Sequence, residues 1–125
     1  VLSRGEGSAA WVWTVMGVHD LFLALFPEKA QQEYWAKDRT LSASSFAPGG
    51  RITAAEGGVR LTGKWSFCSG IDHAHGMLLA GIAGMLSQDP PIPDIRYMLL
   101  PKSDVTVIDD WHVMGLCGSG SSSYS

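Results

Sequence analysis

The feature that most constrains the fold is a change of period at Asp38-Arg39. Before it, apolar residues recur at helical spacing. After it, short runs rich in Val, Ile, Thr and aromatic residues alternate with glycine or proline turns. Helices followed by strands, with no alternating strand–helix units, predict an α+β chain and exclude a dinucleotide-binding Rossmann unit. On the helical side Trp11, Val15, His19, Phe22 and Phe26 recur at spacings of four, four, three and four, which draws one face of a helix. Ser8 is placed to cap that helix. Pro27 stops it and opens a second, amphipathic helix that runs to about Lys37.

On the strand side the segments are 41–47, 51–55, 59–62, 65–68, 77–84, 95–100 and 105–108. Pro48-Gly49-Gly50 ends the first, and Glu56-Gly57-Gly58 reads as a hairpin turn after the second. Residues 87–93, with three prolines, read as a loop. Seven short strands at this spacing predict a small antiparallel barrel or sandwich.

A length of 125 residues fits at most one ordinary domain, and an apolar share of 46% supplies one modest core. A net charge of −3 without a basic stripe gives no reason to expect nucleic acid or an anionic membrane. The longest apolar run, 9–26, is interrupted by Thr14, His19 and Asp20, and no basic region precedes it. It is neither a membrane span nor a signal peptide, which points to the cytoplasm. Cys68 and Cys117 lie 49 apart with no Cys-x-x-Cys spacing, as reduced, unrelated thiols do. The chain opens on Val1 and closes in a glycine- and serine-rich run. Both ends are expected to be cut or disordered, and the sequence to be an excerpt.

Candidate chemistry concentrates in 63–75, where a glycine turn opens Lys64-Trp65-Ser66-Phe67-Cys68-Ser69-Gly70 and an Asp72-His73-Ala74-His75 corner follows. An aromatic wall beside a small hydroxyl suits a flat conjugated ligand, and equally a strand edge with a polar turn. His19, the lone polar residue on its helix face, reads either as a satisfied core histidine or as part of a pocket wall with Trp11 about two turns away. Along a strand His73 and His75 would share a face and Asp72 would oppose them, so no metal site is assigned. Ser44-Ser45 either bind a carbonyl-rich ligand or satisfy local backbone. The tail Gly115-x-x-Gly118-x-Gly120 lacks the phosphate-loop order and reads as a flexible loop. No Gly-x-Ser-x-Gly elbow supports a nucleophilic triad.

Several stretches, in order, resemble one family: Ser8-Ala9-Ala10-Trp11 with His19, Pro27-Glu28, Ser45-Phe46-Ala47-Pro48-Gly49-Gly50, Leu61-Thr62-Gly63-Lys64-Trp65-Ser66-Phe67-Cys68-Ser69-Gly70, Asp72-His73-Ala74, Leu100-Pro101 and Asp109-x-Trp111-His112-Val113-x-Gly115. The family is the flavin-dependent monooxygenases built on the acyl-CoA dehydrogenase fold, including the oxygenase components of two-component phenol and hydroxyphenylacetate hydroxylases. The resemblance implies that 1–38 close an N-terminal helical domain and 39–125 form most of a middle β-barrel domain. A C-terminal helical bundle, absent here, would complete the flavin site and build a tetramer, so the chain alone is expected to be inactive.

By position, Trp11, His19 and Ser45 would meet an aromatic substrate. Ser45, Phe46, Trp65, Phe67, Cys68 and Ser69 would line reduced FMN or FAD, with Ser69 near the reactive N5 edge. His19 and Ser69 are thereby the candidate catalytic residues. The implied partners are O2, an aromatic small molecule and a separate flavin reductase, and no metal is implied. The sequence departs from the family at Cys117, where a basic residue is usual, at Gly76, where Trp is frequent, and in the serine run 121–125. The alternatives are an acyl-CoA dehydrogenase, which more commonly carries an aromatic-Ile-Thr run at the Trp65 strand, and a non-catalytic fragment.

Overall fold

The computed structural model describes residues 2–36 and 40–125. The expected boundary between 38 and 39, and the helix end at Lys37, lie outside the described residues. The helices are α1 (Leu2–Gly5), α2 (Gly7–Leu23) and α3 (Glu28–Trp35). Glu6, not Ser8, caps α2: its carboxylate accepts from the Ser8 amide at 3.0 Å and from the Ala9 amide. Those backbone bonds, Ala9 first, hold the carboxyl below its usual range.

The buried stripe of α2 is Ser8, Met16, His19 and Leu23, with Val12 and Val15 half-buried. It is turned from the expected Trp11–Phe22 stripe, which keeps His19 but leaves Trp11 48% and Phe22 37% exposed. The reason is that α2 is apolar nearly all round, so spacing alone admits more than one inward face.

Four strands, β1 (Ser42–Ala55), β2 (Gly58–Gly63), β3 (Gly76–Gln88) and β4 (Pro91–Pro101), form one sheet in the order β2-β1-β3-β4. The expected hairpin turn is present, with Ala55 paired to Gly58 and Gly57 at φ 75°. The antiparallel barrel is not what the described residues form. β1 and β3 run parallel, so the sheet is mixed, and it is open. Residues 64–75 carry the chain across instead of back, because they do not extend as a strand. Trp65 makes one isolated bridge to Tyr124, Phe67 and Gly70 have φ of 61° and 78°, and Ile71–His73 is a 3-10 turn.

The segments 41–47 and 51–55 fuse into β1, with a register shift between Ser45 and Gly50. The proline loop is absorbed into the β3–β4 hairpin. Pro91 and Pro93 pair with Gln88 and Met85, and β4 is an edge strand, where a missing N–H is tolerated.

The core cluster gathers Ala43, Met77 and Leu79 from the β1–β3 pair with Met16, Trp65, Cys68, Ile71 and Tyr124. Met77, Leu78, Leu79 and Ala80 are fully buried, as expected of a central strand covered on both faces. The tail is the largest departure from expectation. Ser119 and Ser121 through Tyr124 are buried, and β6 (Ser123–Tyr124) pairs with β5 (Val107–Ile108) in a second, two-stranded sheet. Among the described residues no helix is long and apolar enough to cross a membrane.

Candidate functional site

Alternation along β1 splits the predicted site residues between two faces of the sheet. Ser44 stands opposite Leu78, and Ser45 opposite Leu79, so their side chains point to opposite sides.

On the Ser44 side lies His19, fully buried. Its Nδ1 is 2.7 Å from the Ser42 carbonyl, which can only accept, so Nδ1 carries the proton. Its Nε2, 2.7 Å from Ser44 Oγ, then accepts from that hydroxyl. The imidazole ring meets Phe46 edge-on at 5.9 Å, and Phe46 continues to Phe22 at 4.6 Å and Tyr97 at 5.7 Å. A cleft of about 310 Å³ between Phe22, Phe26, Leu78 and Tyr97 opens beside this aromatic group.

Burial pushes His19 below the ordinary histidine value of 6.5, against the opposing effects of the Ser42 bond and the Asp20 charge. The unfolded chain therefore binds this proton more readily than the folded one. The stability contributed by neutral His19 is complete above pH 6.5 and is lost as pH falls through the depressed value. The unfolding midpoint should accordingly drop between pH 7 and 5, and in His19→Gln that part of the slope should vanish. An unchanged slope in the variant would remove His19 as its source.

On the Ser45 side, Ser45 Oγ donates to the Ser66 carbonyl at 3.2 Å. Trp65 and Phe67 do not make a common wall. Trp65 is buried, donates from Nε1 to the Ala80 carbonyl at 2.8 Å and stacks on Tyr124. Phe67 is 74% exposed and meets Trp111 edge-on at 6.1 Å. The left-handed backbone at Phe67 breaks the two-residue alternation that would have put both rings on one side. Cys68 is a core thiol that burial pushes up to about 12, so it is inert as a nucleophile at neutral pH. Both cysteines are free, and Cys117 is exposed.

Ser69 ties helix to loop: the half-exposed Trp11 donates from Nε1 to its Oγ at 2.9 Å. The approach depends on Gly70, where a side chain would meet Met16 Sδ at 2.7 Å and the φ of 78° disfavours any other residue. The tail closes this junction from behind. Backbone bonds run from Gly70 to Ser119 (2.9 Å) and from Cys68 to Ser122 (3.3 Å), and Trp65 and Tyr124 exchange two at 2.9 Å. Ser123 Oγ donates to Ser66 Oγ at 3.0 Å, and Ser121 Oγ lies 2.8 Å from Ser69 Oγ.

The 71–75 corner is polar scaffolding. Lys102 Nζ donates to the Ile71 and Asp72 carbonyls at 2.6 and 3.2 Å, and the His75 amide donates to Leu41 at 2.8 Å. Among the described residues no three of His, Cys, Asp and Glu gather as metal ligands.

The structure thus joins Trp11 to Ser69, His19 to Phe46, and Ser45 to the segment holding Trp65 and Phe67. Sequence reasoning gave no site role to Ser119, Ser121 or Trp111. Its one available signal was Tyr124, a large apolar ring inside an otherwise polar serine run.

No protein-family model matches the chain. Over 119 residues it is 39% identical to the oxygenase component of an FADH2-dependent resorcinol hydroxylase from Rhizobium sp., covering 94% of this chain and 29% of that protein. The crystal structure of the HsaA monooxygenase from M. tuberculosis superposes with a TM-score of 0.83 at 38% identity, over 94% of this chain and 30% of that one. XiaF from Streptomyces sp., solved with FADH2 and glycerol, superposes with a TM-score of 0.82 at 31% identity, over 94% and 29%. The chain spans about 30% of the length of the relatives it matches.

Proposed function

We infer that the chain belongs to the oxygenase components of two-component flavin-dependent monooxygenases, as a segment of such an enzyme. From that premise we assign the parent polypeptide to hydroxylation of an aromatic or polycyclic substrate with reduced flavin and O2. The observation that carries the reading is the Trp11–Ser69 junction, which lies within a stretch 39% identical to a flavin-dependent oxygenase component.

The residues at the junction fit a flavin. Phe67 presents an exposed aromatic face, with Trp111 at its edge. Next to it Ser69 offers a hydroxyl whose oxygen is already held by an indole N–H. A flat ring stacked on Phe67 would bring its polar edge toward Ser69, and Ser45 and Ser123 tie down the same segment through Ser66. The flavin, when bound, supplies the oxygen chemistry.

This chain's residues bind, orient and exclude water. Trp11 covers Ser69, the inert Cys68 thiol does not compete for oxidant, and the buried Trp65 stiffens the segment from beneath. His19 would reach a phenolic hydroxyl by exchanging its Ser44 partner for it, with its ring supported by Phe46. In the parent polypeptide 1–38 close a helical domain, and 39–125 belong to a barrel that further chain completes. A helical bundle, a homotetramer, a cytoplasmic location and a separate reductase complete the assignment. FADH2 is the first cofactor to test, given the names of two relatives, with reduced FMN beside it.

The full-length polypeptide, supplied with FADH2 or reduced FMN by a separate reductase, should consume O2 and hydroxylate a phenol. In Ser69→Ala, product should fall by about ten-fold as H2O2 takes its place, the effect of one lost bond to a charged or developing polar group. Anaerobic bleaching of the oxidised enzyme by an acyl-CoA, with no hydroxylated product in air, would overturn the assignment.

A further inference from the structure

We propose, resting on the flavin reading above, that Ser121, with Ser119 behind it, is a positioning residue that directs the Ser69 proton toward the ligand. Three buried hydroxyls form a chain. Ser119 Oγ lies 2.8 Å from Ser121 Oγ, which lies 2.8 Å from Ser69 Oγ. Their exposures are 2%, 5% and 6%. Trp11 Nε1–H can only donate, so it takes one of the two lone pairs on Ser69 Oγ.

Three hydroxyl protons share two links, so one proton is left over. If the chain runs Ser69 to Ser121 to Ser119, the spare proton is on Ser119, whose hydroxyl has no other partner among the described residues. If both ends donate to Ser121, the spare proton is on Ser121, which is enclosed between them. Each of these arrangements strands an O–H at a position no ligand could reach, and that is costly. Run the other way, Ser119 donates to Ser121 and Ser121 to Ser69. Ser69 then accepts twice, from Trp11 and Ser121, and its own proton is the spare one. Ser69 is the end of the chain that adjoins the half-exposed Trp11, where the flavin reading puts the ligand. A ligand acceptor at Ser69, the one end where a partner can arrive, therefore selects the direction, and Ser69 meets the ligand as a donor. A ring carbonyl or a bare ring nitrogen is the matching acceptor.

The chain is rigidly placed. Gly120, at φ 51°, turns Ser121 inward where a side chain would meet Asp72 Oδ2 at 2.8 Å, and the Gly70 amide holds the Ser119 carbonyl at 2.9 Å.

Two readouts on the full-length enzyme test this. Without flavin, the Trp11 indole N–H resonance, assigned with Trp11→Phe, should move in Ser121→Ala and return in Ser121→Thr. With flavin, anaerobic titration of FADH2 should show affinity reduced about ten-fold in Ser69→Ala and about three-fold in Ser121→Ala. Ser121→Thr should restore it, and the double variant should bind no more weakly than Ser69→Ala alone. If Ser121→Ala does not fold, Ser119→Ala should show the same direction at smaller size, and wild-type values there would overturn the proposal. If Ser69→Ala weakens binding while Ser121→Ala matches wild type, or if the two losses multiply, the positioning role alone is overturned. If Ser69→Ala binds FADH2 as wild type does, the flavin reading fails, and the positioning role falls with it.

Discussion

Tyr124→Ala is expected to destabilise the fold by about 3–5 kcal/mol, a large share of the stability an ordinary domain possesses. Tyr124 is fully buried and stacks on Trp65 with centroids 5.6 Å apart and planes 11° from parallel. Truncation would leave a ring-sized cavity beside Met77, Leu79 and Cys68, members of the same cluster. It would also loosen the strand that joins β5 to the Trp65 segment, since Tyr124 pairs with Val107 and bridges Trp65. The phenolic hydroxyl lies near Cys68 and Ser45 but makes no hydrogen bond of normal geometry with either. Tyr124→Phe should therefore be neutral or slightly stabilising. Urea unfolding of both variants against wild type measures the difference. A loss under about 1 kcal/mol in Tyr124→Ala would mean that the tail does not belong to the core.

His19→Ala should cost about 2–4 kcal/mol, the sum of a cavity and two polar groups deprived of partners. The Ser42 carbonyl loses its donor, and the Ser44 hydroxyl loses its acceptor. Phe46 also loses the edge contact that places it against Phe22 and Tyr97. His19→Gln, which can donate and accept, should recover part of the loss. The same pair of variants separates scaffold from substrate contact in the full-length enzyme. If His19 only supports β1, the folded fraction of His19→Gln should turn over an aromatic substrate with an unchanged KM. If it also contacts substrate, KM should rise while FADH2 affinity stays near wild type.

His19 shows how far local pattern reaches. The sequence marks it as the one polar residue on an apolar helix face and leaves both a core and a pocket reading open. In the folded chain Ser42 and Ser44 lie 2.7 Å from its two nitrogens. Those partners are 23 and 25 residues away, and no helical spacing contains that information. The aromatic wall was misjudged for a different reason. Trp65 and Phe67 alternate correctly for a strand, but the backbone at Phe67 is left-handed, and the rings part. The resemblance to flavin-dependent oxygenases was legible because it rests on short motifs that keep their order, and the relatives match 94% of the chain.

By itself the sequence determined the types and order of most elements, the break at Pro27, the hairpin turn at Glu56-Gly57 and the resemblance to flavin-dependent oxygenases. These depend on helical or strand period and on turn chemistry, which act over a few residues. Only the tertiary structure decided which stripe of α2 faces inward, that β1 and β3 pair in parallel, and that the serine-rich tail is core. An all-round apolar helix has several nearly equivalent faces, and a polar run of small residues carries no period to read. Both are settled by contacts between residues far apart in the chain, as in Trp11 to Ser69 across 58 residues and Ser69 to Ser121 across 52. Burial of a hydroxyl is favourable only when such a partner arrives, and its arrival is a property of the folded chain.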